Sequence, residues 1–229
     1  MCIKSAKGVL YVLIAILVFG SVFTVPIIVS AVNDEVKTIV IDAGHGGLDG
    51  GVVSKNGVRE SDVVLLIGKV LGEYLQGGGF KVVYTRKNQF ALVGGKFIKK
   101  TDMQKRVEII KKANPDLVVS LHLNSFQDTS RKGIQVFFGN DGSRDFALLM
   151  QRQLNEKFNL PDAGREFSTL RADKYILNES PSTAVIVECG FLSNLADEKN
   201  LLDDTYRHRL AESIYQSILL WSFGEYSST

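Results

Sequence analysis

The sequence predicts an α/β domain: a largely parallel sheet with helices on both faces. Three observations carry this prediction. Segments rich in β-branched residues alternate with segments of helical spacing, the pattern of strands joined by crossover helices. One of the strands, residues 117–121 (LVVSL), is apolar but for Ser120, as expected of a parallel strand covered on both faces. The 229 residues are 45% hydrophobic and 23% charged, which suits one medium domain that buries a full core without disulfide staples.

Residues 36–41 (VKTIVI) read as the first strand. Val63, Val64, Ile67, Val70, Leu71, Tyr74 and Leu75 follow the spacing i, i+3, i+4 of a helix. Gly77, Gly78 and Gly79 stop that helix with residues that tolerate positive φ. Residues 80–84 form a second strand. Residues 86–100 show no period and contain Gly94 and Gly95, so they read as a loop. Thr101 and Asp102 are placed to cap a helix that runs to Ala113, ahead of Asn114 and Pro115. Strands at 117–121, 133–138 and 183–187, a helix at 143–158 and an amphipathic helix at 205–221 complete the reading. There is no internal repeat and no low-complexity tract.

Ahead of this domain, residues 8–32 carry no charge, and Lys4 and Lys7 precede them. About 20 apolar residues span a bilayer as a helix, and basic residues keep the near end cytoplasmic. Two readings stay open: a retained membrane anchor, or a signal peptide cut after Ala31 in the small-residue context Val29-Ser30-Ala31. Both place the rest of the chain outside the cytoplasmic membrane. Residues 33–35 read as a linker, 36–223 as the globular domain and 224–229 as a tail.

The net charge of +2 comes entirely from Lys4 and Lys7, leaving 25 basic against 25 acidic residues beyond them. A neutral domain argues against nucleic acid as a partner. The run Lys96, Lys99, Lys100, Lys105, Arg106, Lys111 and Lys112 is its one basic cluster, read in part as solvated helix surface. Cys2 and Cys189 would lie on opposite sides of a membrane and cannot pair within one inserted chain. Cys189 follows Glu188 directly, so in a strand it points to the opposite face and reads as a buried thiol.

The chemistry-bearing residues gather at one sheet edge. His45 follows the first strand in IVIDAGHGG, His122 follows the third in LVVSLHLNS, and Glu188 ends the fifth in TAVIVECG. Glu60 opens the first helix, and helices of this topology begin at the carboxyl edge of the strands, where ligands bind. Two histidines and one carboxylate are a common catalytic zinc set. His45, Glu60 and His122 supply it, with one Zn2+ per chain. A further carboxylate, Glu188, is the candidate to take a proton from water and pass it to a leaving nitrogen. Asp42 and Asp49 flank the His45 loop and read as turn-stabilising acceptors. His208 reads as exposed and inert.

The pieces IDAGHGG at 41–47, Arg59-Glu60, Thr85-Arg86, SLHLNS at 120–125 and VECGFLSN at 187–194 together resemble the zinc-dependent N-acetylmuramoyl-L-alanine amidases of the family amidase 3. The resemblance covers roughly residues 36–223. It implies a mixed six-stranded sheet between helices, zinc on His45, Glu60 and His122, and Glu188 as the catalytic glutamate. The implied reaction cuts the amide between N-acetylmuramic acid and L-alanine in peptidoglycan. Family members often carry an Asp shortly after the Thr-Arg pair, where this chain reads Lys87-Asn88-Gln89. Arg86, Asn124 and Ser125 are candidate substrate contacts. The narrower resemblance is to germination-specific amidases of endospore formers, which act on spore cortex on the route to muramic-δ-lactam. It implies an extracytoplasmic, forespore or cortex location.

Three competitors remain at this level. An iron(II) oxygenase would need a closely spaced His and carboxylate on one barrel strand, a pair not found here. Another zinc peptidase or carboxypeptidase would differ in its products. A non-catalytic wall-binding protein would not need the ligand set together with Glu188. The sequence also leaves open whether an accessory protein is needed for zinc binding or activity.

Overall fold

The computed structural model describes residues 36–92 and 98–224. The expected anchor or signal segment, the linker at 33–35 and residues 225–229 lie outside the described residues. Among those described, no helix is long and apolar enough to cross a membrane.

The chain runs β1 (Thr38–Ala43), α1 (Glu60–Gly77), β2 (Lys81–Tyr84), α2 (Lys99–Ala113), β3 (Leu117–Asn124), β4 (Gln135–Phe138), α3 (Arg144–Leu154), β5 (Leu170–Arg171), α4 (Tyr175–Glu179), β6 (Thr183–Phe191), α5 (Leu195–Leu202) and α6 (Asp204–Ser222). The six strands form one sheet in the order β2-β1-β3-β6-β4-β5. Neighbours pair in parallel except β4 against β6, which are antiparallel. The expected mixed, largely parallel six-stranded sheet is therefore the observed one.

Side chains alternate across each strand, and this splits the core in two. Ile39, Ile41, Val119, Leu121, Val185 and Val187 face the larger core, with Leu71 of α1, Met150 of α3 and Ile214 of α6. Val40, Val118, Ala184 and Ile186 face the other side, with Ile110 of α2 and Ile176 of α4. Burying each large aliphatic side chain contributes roughly 1.5–3 kcal/mol, which is enough to set the strand register. Cys189 lies in the larger core, on the face opposite Glu188 as expected. Burial, followed by the charges of Glu188 and Glu60, pushes its thiol far above the ordinary range, so it is inert.

Several local readings are corrected. The helix expected at 143–158 ends as an α-helix at Leu154 and continues as a wider π winding over Asn155–Ala163, with Pro161 inside it. Buried amides drive the change. Asn155 binds the main chain of Phe167 through both ends of its side chain. Asn159 does the same to Ile134. β5 and α4 span only two and five residues, too short to show a period. α5 carries a local start signal in Asn194, whose side chain accepts from the Ala196 and Asp197 amides as an N-cap.

The smaller face also carries a buried polar network. Asp42, in β1, accepts from Thr85 Oγ1 at 2.6 Å, Ser120 Oγ at 2.6 Å and Arg106 Nη1 at 2.8 Å. Arg106 also binds Asp102 through Nε at 2.8 Å, and Asp102 takes the Leu92 amide. Asp42 is thus a strand-borne anchor rather than a turn acceptor. Asp102 pairs with an arginine rather than capping α2, whose side-chain cap is lacking. Arg106, from the run read in part as solvated surface, is 1% exposed.

Burial alone would raise the Asp42 pKa, but the Arg106 charge and the Ser120 and Thr85 hydrogen bonds outweigh it and lower it to about 2, from 3.8. A depressed folded-state pKa adds stability above the unfolded value and loses it as pH falls through the folded one. The contribution, about 2 kcal/mol by linkage, is therefore present above pH 4 and fades between pH 4 and pH 2. Asp42→Asn should remove this acid-sensitive part and lower stability at pH 7 by about 3–5 kcal/mol, the cost of stranding a buried charge. Urea unfolding from pH 7 to pH 2 checks it; equal acid sensitivity in both proteins would exclude Asp42 as its source.

Candidate functional site

The sheet places two site residues side by side. His122 and Glu188 are register partners on β3 and β6, so both point to the smaller face. Both lie within their strands rather than just past them or at their end. The β3–β6 ladder becomes irregular immediately after His122, beside the site, where bulges commonly re-aim side chains.

Glu60 arrives from another direction, as the first residue of α1. The loop before it folds over the helix end: the Glu60 amide donates to Val52 O and the Ser61 amide to Gly50 O. That loop is tied down at its far end, where Ser54 and Asn56 both donate to the Glu198 carboxylate. Glu60 is 2% exposed. Its Oε2 accepts from the Val52 amide at 2.8 Å and its Oε1 from the Leu123 amide at 3.0 Å. Oε1 also stands 2.9 Å from His122 Nδ1 and 3.3 Å from His45 Nε2.

His45 sits in left-handed backbone, at φ 61°, a conformation that costs a non-glycine residue about 1 kcal/mol or more. The surroundings hold it there. Arg106 donates to its carbonyl and to that of Ala43. Arg86 donates to the carbonyls of Ala43, Gly44, Ser61 and Asn88. His45 Nδ1 lies 2.9 Å from Asp49 Oδ2, a charge contact off the line of a hydrogen bond. Such an outer carboxylate orients a ligating imidazole.

The structure thus brings His45, Glu60 and His122 together, with one donor atom from each lying within 4.8 Å of the others. Atoms bound at about 2.0–2.2 Å to one tetrahedral ion stand roughly 3.3–3.5 Å apart, which the 3.3 Å between His45 and Glu60 matches and the 2.9 Å between His122 and Glu60 approaches. Two imidazoles and a carboxylate form a nitrogen and oxygen set suited to zinc. Gly44 makes room for it: a Cβ there would come within 2.3 Å of the His122 ring. Gly51, at φ +67°, does the same for Glu60, whose carboxylate a Cβ would meet at 2.4 Å. The residues present fit a bound zinc ion.

Charge states agree with this geometry. Burial would raise the Glu60 pKa, but the two histidines overcome it and hold Glu60 ionised. Burial would lower that of His45, yet the Glu60 and Asp49 carboxylates raise it. Glu188 is pushed up, by burial first and the Glu60 charge next, against the opposing pull of His122, Lys174 and His45. Its Oε2 is buried and has no hydrogen-bond partner among the described residues.

The remaining expectations divide. Arg86 is 3% exposed, and its donors go to main-chain carbonyls, which makes it a clamp on the His45 loop. Asn124 and Ser125 do not line the cleft; Asn124 Oδ1 turns back to the Ser125 amide at 2.8 Å. Asp49 accepts from the Gly51 amide, as a turn residue should, and also faces His45. His208 lies on α6 beside Tyr74, far along the chain from these groups and outside the cleft. The cleft itself encloses about 330 Å3 and is lined in part by Lys99, Met103, Lys174 and Tyr175. Lys174 and Tyr175 are hidden from sequence reading because residues 172–179 show no period, and Lys99 because it falls in the stretch 86–100, which shows none either.

A three-donor set facing a carboxylate of raised pKa, at the carboxyl edge of an α/β sheet, is the arrangement of a hydrolase that activates water. The chain belongs to the Amidase_3 family, N-acetylmuramoyl-L-alanine amidase, which matches residues 39–219. It is similar to the germination-specific N-acetylmuramoyl-L-alanine amidase of Bacillus subtilis, with 30% identity over 80% of this chain and 78% of the relative. Among solved structures it resembles the CwlD amidase of Clostridioides difficile, determined in complex with the GerS lipoprotein. The TM-score is 0.77 at 31% identity, covering 82% of this chain and 99% of that one. The amidase AmiC2 of Nostoc punctiforme gives a TM-score of 0.72 at 30% identity, covering 82% and 97%. The activity is therefore that of an N-acetylmuramoyl-L-alanine amidase, on the peptidoglycan amide that the motifs implied.

Gly44→Ala should push the His122 ring aside and weaken Zn2+ binding at least tenfold, the scale of outer-shell changes at metal sites. Zinc titration beside a thermal melt checks it; unchanged affinity in a folded variant would show that the close approach is not needed.

Proposed function

We propose that this amidase works with one zinc ion on His45, Glu60 and His122, with Glu188 as general base and then general acid. The observation that carries this is the convergence of the three donors opposite a buried, unpartnered Glu188 oxygen. Zinc bound there would supply Lewis acidity, polarising the scissile carbonyl and making water acidic near neutral pH. Glu60, fixed by two main-chain amides, and the two histidines hold their positions without reorganisation. Glu188 takes the proton of the attacking water and returns it to the departing L-alanine nitrogen. Burial raises its pKa, which makes it a stronger proton acceptor than an exposed carboxylate. The Arg86 and Arg106 clamps keep the His45 loop rigid while the substrate binds.

The setting we propose is the spore cortex, on the route to muramic-δ-lactam, with residues 36–223 as the catalytic domain. The germination-specific relative supports it. The charge-free residues 8–32 would act as an anchor or signal peptide and export that domain. An accessory protein is proposed as well, supported by the GerS lipoprotein bound to the C. difficile relative.

Zinc-loaded full-length protein should release stem peptides from purified peptidoglycan, exposing new L-alanine amino termini without new reducing sugar ends. Bound zinc with no release, reversed by an accessory lipoprotein or by cortex as substrate, would mean that the site is gated. Neither zinc nor release would sink the metal-site reading. Glu188→Gln should keep zinc and lose turnover by about 10²–10⁴-fold. If that variant cleaves at near-normal rate, Glu188 is not the base.

A further inference from the structure

The cleft has more charge than the hydrolytic chemistry uses. Asp42 and Asp102 are matched by Arg106, Asp49 by His45, and His122 by Glu60. Three lining groups remain without a close counter-charge among the described residues: Glu188, which the mechanism assigns to the water, and Lys99 and Lys174. Lys99 is the first residue of α2, and Lys174 directly precedes α4. The two helices are tied at their far ends by the Lys111–Glu179 ion pair, at 2.7 Å. Met103, Tyr175, Ile176 and Ile186 supply apolar lining to the same cleft. Both lysines act electrostatically on the site: Lys174 on the Glu188 carboxyl and Lys99 on Asp49.

An apolar cleft with two uncommitted ammonium groups calls for a ligand that is largely neutral and carries a carboxylate. On the amidase reading, from which this inference starts, the substrate has such a group on its peptide side. The departing L-alanine is followed by a D-glutamyl residue whose α-carboxylate is free in some walls and amidated in others. That carboxylate is the first one past the scissile bond, no more than roughly 7 Å away along two extended residues. We propose that Lys174, assisted by Lys99, binds this α-carboxylate and makes the enzyme select stems that are not amidated at their second residue. A lysine suits the task as a mobile point charge, where an arginine fork would demand one fixed geometry.

The test uses zinc-loaded full-length chain and two glycan-linked tetrapeptide stems, differing only in α-carboxylate or α-carboxamide at residue two. The corresponding free tetrapeptides, which begin with L-alanine, are titrated by calorimetry. The wild type should favour the carboxylate stem about three- to tenfold in kcat/KM, through KM, and bind the carboxylate tetrapeptide more tightly by a similar factor, the scale of one partly screened charge contact. Lys174→Met should bring both ratios close to one, Lys174→Arg should restore part of them, and Lys99→Met should reduce them less. Equal affinity of the wild type for the two tetrapeptides, or a preference that survives in Lys174→Met, would overturn the proposal. If neither stem is cleaved but the binding preference and its loss in Lys174→Met are seen, the carboxylate site stands and the failure lies with turnover, which is then gated or absent.

Discussion

Everything at the site rests on one buried guanidinium. Arg106 reaches from α2 into the sheet, takes Asp42 on one side and Asp102 on the other, and spends its remaining donors on the Ala43 and His45 carbonyls. A buried ion pair is stabilising only when its remaining donors and acceptors are matched as well. Here Asp42 is completed by Thr85 and Ser120. The pair therefore joins β1, β3, α2 and the residue that follows β2 at the point where the chain leaves β1 for the His45 loop. Arg86 adds a second guanidinium to the same carbonyls. Two like charges packed this closely persist because each binds main-chain dipoles, and because Asp42, Asp62 and Asp102 offset them.

That joint explains how a strained backbone serves the chemistry. His45 occupies a left-handed conformation that an imidazole does not favour, and its flanking carbonyls are pinned from two sides. Glu60 is fixed by different means, through main-chain amides from the loop before α1 and from β3. His45 and Glu60 are thus held by hydrogen bonds to the main chain around them, which is what a preorganised site requires. The glycines at 44 and 51 provide the room.

The two faces of the sheet divide the work. The larger face is apolar and supplies most of the core. The smaller face has a short apolar floor and then, toward the carboxyl edge, Asp42, Ser120, His122 and Glu188. Strand alternation alone sorts these residues, so one register shift would bury the chemistry and expose the core. The antiparallel β4 borders β6 and pairs Gln135 with Glu188.

Residue pattern alone is enough to place the strands at 36–41, 80–84, 117–121, 133–138 and 183–187, the principal helices, the two-sided core and the convergence of His45, Glu60, His122 and Glu188. These are periodic or motif-borne features, visible because side-chain alternation and the topology of parallel sheets place them without further information. Cys189 was legible for the same reason. What tertiary structure decided was how the polar residues pair. Nothing local distinguishes Arg86 as a clamp from Arg86 as a substrate contact, or Asp102 as a partner of Arg106 from Asp102 as a helix cap. Each choice depends on which distant carbonyls and carboxylates lie within 3 Å once the elements have packed. The same holds for Lys174 and Tyr175, carried to the cleft by a helix of five residues. Burial rewards a fully matched polar network and penalises every unmatched group in it, and that balance is struck only between residues the fold has already brought together.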